Sequence, residues 1–371
     1  MTLFKKSCTA LLAAACMGLL VPHAASAAPK KPAKKAVKKA PKKPAIDYSG
    51  EFVNFGQWQE VQLFIEEMEQ KNGIPRAELD KLFLELRYID SAVQLVKPAP
   101  PGKPKNWKAY SSRFIEPIRI KAGINFWNAN RDTLARAEAL YGVPAEIIVG
   151  IIGVETIYGR DMGKFRVLDV LATLAFAYPL APNREARAAF FRSELEATII
   201  SARQTGLEPL ALTGSFAGAV GMPQFMPGNI YRLGVDFDGD GKVDLRNSAA
   251  DSIGSVANFL VAHGWKRDET GPLVWPALVS PTREWEVFIN QGLDVKYKAE
   301  DLLASGVSAD DALPPDRLYG LVDLQNGSEP TEYWVGSNNF YTITKYNRSY
   351  FYAMSVVELG RAVKLSMEET L

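Results

Sequence analysis

Tyr141 to Arg160 reads YGVPAEIIVGIIGVETIYGR. Pro144 fits the first turn of a helix and Gly159 fits its stop. Ile148, Ile152 and Glu155 follow the i, i+4, i+7 spacing, which places a carboxylate on the apolar stripe of an otherwise uncharged helix end. Desolvation disfavours an ionised carboxylate facing such a wall, so Glu155 is expected to hold its proton toward neutral pH, as a general acid must. The competing expectation is a structural Glu that pairs with Arg160 or reaches solvent.

Outward from this helix the pattern stays helical. Phe52 to Asn72, Arg76 to Tyr88, Tyr110 to Tyr141, Val167 to Tyr178, Arg184 to Thr205, Asp251 to His263 and Tyr352 to Ser366 carry helical periodicity, broken at Asn72-Gly73-Ile74-Pro75 and in the Pro-rich stretch from Lys97 to Pro104. From Trp265 to Gly336 the texture changes to short β-type runs, EWEVFI, LYGLVDL and EYWVG, between turn residues. The expected class is mainly α (α+β), with a small antiparallel β domain. The expected organisation is an export signal at 1–27, a linker at 28–46, a helical domain at 47–140, a core at 141–264, a β module at 265–336 and a return to the core at 337–371.

The first 27 residues carry Lys5 and Lys6, an apolar run from Thr9 to Val21 and the small-residue site Ala25-Ser26-Ala27. That run, about a dozen residues against the ~20 needed to span a bilayer, reads as a signal for export to the periplasm. Cys16, preceded by Leu12-Ala13-Ala14-Ala15, offers the alternative of a lipid anchor in the outer membrane. Both cysteines, Cys8 and Cys16, lie in this segment, and His263 is the single histidine beyond it. Thiol chemistry is thereby excluded from the rest of the chain, and a lone histidine argues against the usual His/Cys zinc site. No GxSxG-like elbow accompanies His263, which is expected to cap or pack a helix end. Acid/base work falls to carboxylates.

Pro29 to Pro44 is almost only Ala, Pro and Lys, with eight lysines, and reads as an extended linker. Ten of the 43 basic residues precede residue 44, leaving 33 against 42 acidic residues and a net charge of −9. An acidic body argues against nucleic acid as partner. The basic linker is either a solvated spacer or a contact for anionic lipid or polyanionic wall polymer.

DFDGDGKVD, Asp236 to Asp244, has calcium-loop spacing: Asp236, Asp238 and Asp240 at positions 1, 3 and 5, Gly241 at the sharp turn, and the Lys242 carbonyl at position 7. Position 12 is Asn247 where a bidentate Glu is expected, and Asp251 is the candidate to close a lengthened loop. Structural Ca²⁺ is the expected cofactor, with no organic one. LTGSFAGAVGMPQFMP, Leu212 to Pro227, sets Ser215, Gln224 and Phe225 among glycines, suited either to a sugar or to a tight loop. NNFYTITKYNRSYFY, Asn338 to Tyr352, is dense in Tyr and Asn that stack on a sugar or simply pack.

Together and in this order, VPAEIIVGIIGVETIYGR, VLDVLATLAFAYP, GSFAGAVGMPQFMP, VDFDGDGKVDL, IGSVANFLVAHGW and NFYTITKYN resemble the lytic murein transglycosylases of the B type, glycoside hydrolase family 103, from about Gln57 onward. The resemblance implies a lysozyme-like core acting on peptidoglycan glycan strands. It implies Glu155 as catalytic acid/base, Tyr110, Ser215, Gln224, Phe225, Tyr346, Asn347 and Tyr352 along the glycan cleft, and Arg187 on peptide carboxylates. It also implies an EF-hand-like calcium site. Three departures stand out: LAPNREARAA before Phe190 is longer than the family pattern, the acidic loop is one residue longer before Asp251, and Phe259 replaces a cleft Tyr. A monomer is expected, with wall-synthesis proteins as further partners.

No second acid has a context like that of Glu155, since Asp161 lies past the helix stop. That absence fits a one-carboxylate route, where an ordinary glycosidase needs two, and with the resemblance it gives the hypothesis of a substrate-assisted reaction to 1,6-anhydromuramoyl ends. The alternatives are a muramidase of the same fold that admits water, and a non-catalytic wall-binding protein.

Overall fold

The computed structural model describes residues 55–98, 102 and 104–369. The expected export signal, Cys16, the linker and residues 47–54 lie outside the described residues. The helices are α1 (Gln59–Asn72), α2 (Arg76–Leu84), α3 (Asp90–Leu95), α4 (Trp107–Ser111), α5 (Pro117–Ala129), α6 (Arg131–Tyr141), α7 (Ala145–Thr156), α8 (Val167–Phe176), α9 (Arg184–Thr205), α10 (Pro227–Leu233), α11 (Ala249–Ala262), α12 (Ala299–Ala304), α13 (Asn338–Ile343) and α14 (Tyr350–Glu368). Strands β1 (Phe165–Arg166) and β2 (Thr213–Gly214) form a small ribbon. Strands β3 (Val274–Val279), β4 (Val307–Ala309), β5 (Tyr319–Asn326) and β6 (Glu329–Ser337) form an antiparallel sheet in the order β4-β3-β6-β5. The molecule is mainly α with a small antiparallel β part, as the sequence indicates.

The α7 helix has no exposed face. From Ile147 to Thr156 every residue is buried, so the expected apolar stripe is an apolar cylinder, the pattern of a helix packed on all sides. Helix α14 crosses it closely enough that a Cβ on Gly150 would lie 2.3 Å from the Val356 carbonyl oxygen, and one on Gly360 2.1 Å from that of Glu146. Helices α4 to α6 and α11 complete this central cluster, while Phe55 to Val96 packs instead on α8 and α9. Apolar packing therefore divides the first helices between two clusters.

Where one helical stretch was expected from Tyr110 to Tyr141, three helices form. Glu116 restarts the chain by accepting from the Ile118 and Arg119 amides at 2.8 and 2.7 Å, with Pro117 in the first turn. EWEVFI is a second correction: Glu284–Phe288 is a 3-10 helix that buries Trp285 and Phe288 and leaves Val287 62% exposed. Its alternation resembles a strand, but an i, i+3 pair makes the contact with the core. Strand β5 does alternate, Val322 facing the central cluster and Leu321 a smaller one around Trp275 and Trp285, so the sheet separates two cores. His263 ends α11, its ring stacked 3.9 Å from that of Phe259.

Candidate active site

Glu155 lies in the last turn of α7. The helix stops at Ile157, two residues before the expected Gly159, because Ile157 and Tyr158 both turn left-handed at φ 52° and 57°. Such conformations are strained for non-glycine residues and persist only where packing enforces them. The enforcement is visible: the Tyr158 hydroxyl occupies the space that a Cβ on Gly123 or Gly153 would fill.

The carboxyl of Glu155 is 4% exposed, and its Oε1 accepts from the Tyr352 hydroxyl at 2.7 Å. Burial pushes its pKa up to about 7, while the Tyr352 hydrogen bond pulls the other way. No charged neighbour contributes to that shift. Burial, then the charge of Glu155, raises the Tyr110 hydroxyl to about 12, and the same two influences hold Tyr346 and Tyr352 well above the ordinary phenol value. Three neutral phenols therefore surround one titrating acid. The Tyr346 and Tyr352 rings are nearly parallel, 6.2 Å apart.

The glycine-rich segment folds as a tight hairpin, with Val220 and Phe225 exchanging backbone hydrogen bonds of 2.8 and 3.1 Å. Thr156 Oγ1 donates to the Met222 carbonyl at 2.8 Å and the Tyr346 hydroxyl to that of Pro223 at 2.5 Å, so the hairpin is fastened to α7 and to the turn after α13. At its tip Gln224 is left-handed (φ 52°), its Nε2 donates to the Gly221 carbonyl at 2.9 Å, and its buried Oε1 has no hydrogen-bond partner among the described residues. An unpaired buried acceptor is costly unless a ligand supplies a donor.

Two expected cleft residues are placed differently. Phe225 is 2% exposed, its ring packed on Phe259 and Tyr346 at 5.5 and 5.9 Å, so it backs the tyrosines and offers no face to a sugar. The Ser215 hydroxyl, 1% exposed, accepts from the Ala217 and Ala219 amides inside its own turn. Asn347 follows Tyr346 directly in the turn leading into α14. Arg187 sits in the first turn of α9, over the rings of Tyr178, Phe190 and Phe191 at 6.0, 5.6 and 5.3 Å, in the second apolar cluster and not beside Glu155. Thr156 carries no sequence signal that separates it from any buried helical Thr; only the hairpin it holds reveals its role.

In the acidic loop, Asp236, Asp238 and Asp251 each bring a carboxylate oxygen within 4.8 Å of the others. Asp251 comes from the first turn of α11, so the third carboxylate of the group lies beyond position 12. Asn247, at that position, donates to Asp244 at 2.8 Å. Asp240 and Lys242 are not in this group; the Lys242 amide donates to Asp240 Oδ1 at 2.9 Å. An all-oxygen anionic set of this kind suits a hard divalent cation. The loop also touches the hairpin: the Met222 amide donates to the Leu245 carbonyl at 2.8 Å.

The family described as Transglycosylase SLT domain matches residues 56–361. The chain is 41% identical over 339 residues to the membrane-bound lytic murein transglycosylase B of Escherichia coli, covering 88% of each chain. It resembles the crystal structure of the soluble lytic transglycosylase SltB1 from Pseudomonas aeruginosa with a TM-score of 0.75 at 41% identity, over 83% of this chain and 99% of that one. For the Escherichia coli lytic transglycosylase Slt35 in complex with calcium the TM-score is 0.74 at 41% identity, over 84% of this chain and 95% of that one. A helical core around the buried Glu155, joined to a small sheet, thus has its counterparts among lysozyme-like lytic enzymes, and the chain belongs to the Transglycosylase SLT domain family.

Proposed function

We propose that this chain is a peptidoglycan lytic transglycosylase that cleaves the β-1,4 bond between N-acetylmuramic acid and N-acetylglucosamine without consuming water. The observation that carries the reading is Glu155, a buried carboxyl raised to about 7 to which no second carboxylate contributes. Glu155 gives its proton to the glycosidic oxygen as that bond breaks, while the substrate's acetamido oxygen closes on the anomeric carbon. The resulting carboxylate then takes the proton of the C6 hydroxyl, whose oxygen displaces the acetamido group and forms the 1,6-anhydro ring. The proton count closes on Glu155, which returns to its acid form. Tyr352 orients the carboxyl, and its hydrogen bond favours the carboxylate of the second step. Tyr110, Tyr346, Asn347 and the free acceptor of Gln224 are the groups proposed to hold the glycan.

Mass spectrometry of digested sacculi is expected to show anhydromuramoyl ends; reducing ends would overturn the reading in favour of a hydrolase. The activity should fall as pH rises through about 7, because the acid form is then lost. Tyr352→Phe removes a bond that favours the carboxylate, so the alkaline limb should move to higher pH while kcat drops roughly tenfold. An unmoved limb would separate Tyr352 from the proton affinity of Glu155.

Calcium at Asp236, Asp238 and Asp251 belongs to the same reading, supported by the donor set and by a related enzyme crystallised with calcium. Its role is structural, since the loop buttresses the hairpin through Leu245. Millimolar calcium should raise the melting temperature by several degrees, corresponding to about 2–3 kcal/mol at saturation near a hundred times Kd. Asp236→Asn should abolish that rise, and a wild type indifferent to calcium would remove the site. Among the described residues no single helix is long and apolar enough to cross a membrane. Export through residues 1–27 completes the reading. The mass of the mature N-terminus distinguishes cleavage after Ala27 from a lipid on Cys16.

A further inference from the structure

At the opposite end of α7 from Glu155, a cavity of about 320 Å³ opens between the α6–α7 turn and the segment that leads into β3. Ten residues of helix separate Ala145 from Glu155, which is about 15 Å along the axis, so the two places are distinct. Pro144, Trp265 and Leu273 line the cavity with apolar surface, and Glu138 and Glu269 bring two carboxylates to it. The volume lies at the small end of ligand sites, suited to a fragment of a few heavy atoms and not to a sugar chain.

Glu269 is the informative residue. Its side chain is 8% exposed, Oε1 is paired with Lys266 Nζ at 2.9 Å, and the buried Oε2 has no hydrogen-bond partner among the described residues. A carboxylate oxygen withdrawn from water without a donor is a standing cost, recovered by whatever supplies one. Arg267, also on the cavity wall, is turned away: its guanidinium donates to the carbonyls of Ala139 and Leu140 at the end of α6. Glu138 accepts from the Ala145 amide at 3.1 Å and so holds its place beside the cavity. Trp265 is fixed by its indole N–H, which donates to the Gly142 carbonyl at 2.9 Å. Two carboxylates repel an anion, a hydroxyl offers a single donor, and an ammonium offers three donors and a charge.

We propose that this cavity binds a primary ammonium group carried on a short aliphatic chain, with Glu269 and Glu138 as its acceptors and Trp265, Pro144 and Leu273 as its apolar wall. Oε2 is withdrawn from the cavity surface, so binding requires the Glu269 carboxyl to turn from its present place beside Lys266. Neither Glu155 nor the hairpin takes part, so binding is independent of the lytic reaction.

The test uses the ¹⁵N-labelled full chain, with the Trp265 indole resonance assigned by its loss in Trp265→Phe. Titration with n-butylammonium chloride at constant ionic strength is expected to shift that resonance saturably. n-Butanol, of the same shape without the charge, should bind at least tenfold more weakly, as should n-butylammonium on Glu269→Gln. No saturable shift, or equal saturation by the alcohol and the ammonium, would overturn the proposal. If Glu269→Gln does not fold, the comparison of ammonium with alcohol on the wild type decides alone.

Discussion

Glu155→Gln is expected to lower lytic activity by at least about 10³-fold, since the proposed route gives one side chain both proton transfers and each such role is worth about 10²–10⁴-fold. The same change should leave the fold intact and make it more tolerant of alkaline pH. Folded Glu155 keeps its proton to about 7, whereas an exposed Glu loses it near 4.5, so the wild type loses stability as pH rises through that window. At about 1.4 kcal/mol per pKa unit, the loss approaches ~3 kcal/mol by pH 8. The Gln variant does not titrate there. Melting curves of the two proteins should nearly coincide at pH 4.5 and separate by pH 8, with the variant higher. A Gln variant that keeps a tenth of the activity would end the assignment of Glu155; curves that run parallel across pH would end the desolvation argument.

The second large effect is on packing. Alanine ordinarily favours a helix over glycine by about 1 kcal/mol, yet Gly360→Ala and Gly150→Val are expected to destabilise by about 3 kcal/mol or more. The added Cβ would meet a backbone carbonyl oxygen, at 2.1 Å from Glu146 and 2.3 Å from Val356, and a backbone oxygen has no rotamer in which to retreat. Relief requires α7 and α14 to part. Because α14 carries Tyr352 and α7 carries Glu155, the folded fraction should also show the displaced alkaline limb expected of Tyr352→Phe. Urea unfolding measures the first effect and a pH–rate profile the second. A change in unfolding free energy under about 1 kcal/mol would mean that the helices do not depend on this contact.

Most helices were legible because their caps and periods are local. Strand β5 was legible for the same reason, while EWEVFI misled because Trp285, Val287 and Ile289 alternate in sequence although the buried pair is Trp285 and Phe288. Glu155 was recognisable as a misplaced charge, although its helix is apolar on every side and the stripe argument described only part of its surroundings. Loop length pointed to Asp251 as the partner of the acidic loop, and its carboxylate does lie with those of Asp236 and Asp238. The cleft residues were less transparent: Ser215 and Phe225 have the chemistry of a sugar site, but burial uses one to hold a turn and the other to back Tyr346. Tyr352 reaches Glu155 from 197 residues away, and no spacing rule reports a contact at that separation. Thr156 and Glu269 were invisible for a related reason, since their roles depend on which partners the fold supplies or withholds.

The burial of α7 on all sides also bears on how such an enzyme can diverge. Almost any change along Ile147 to Thr156 disturbs the central core before it touches the reaction. The same constraint extends to the hairpin from Gly214 to Pro227, because its Phe225 belongs to the central cluster and its Val220 to the second one. The acid and the hairpin behind it are held still together, so sequence comparison among relatives should show both as slow-changing segments and should place specialisation on exposed positions outside the two cores.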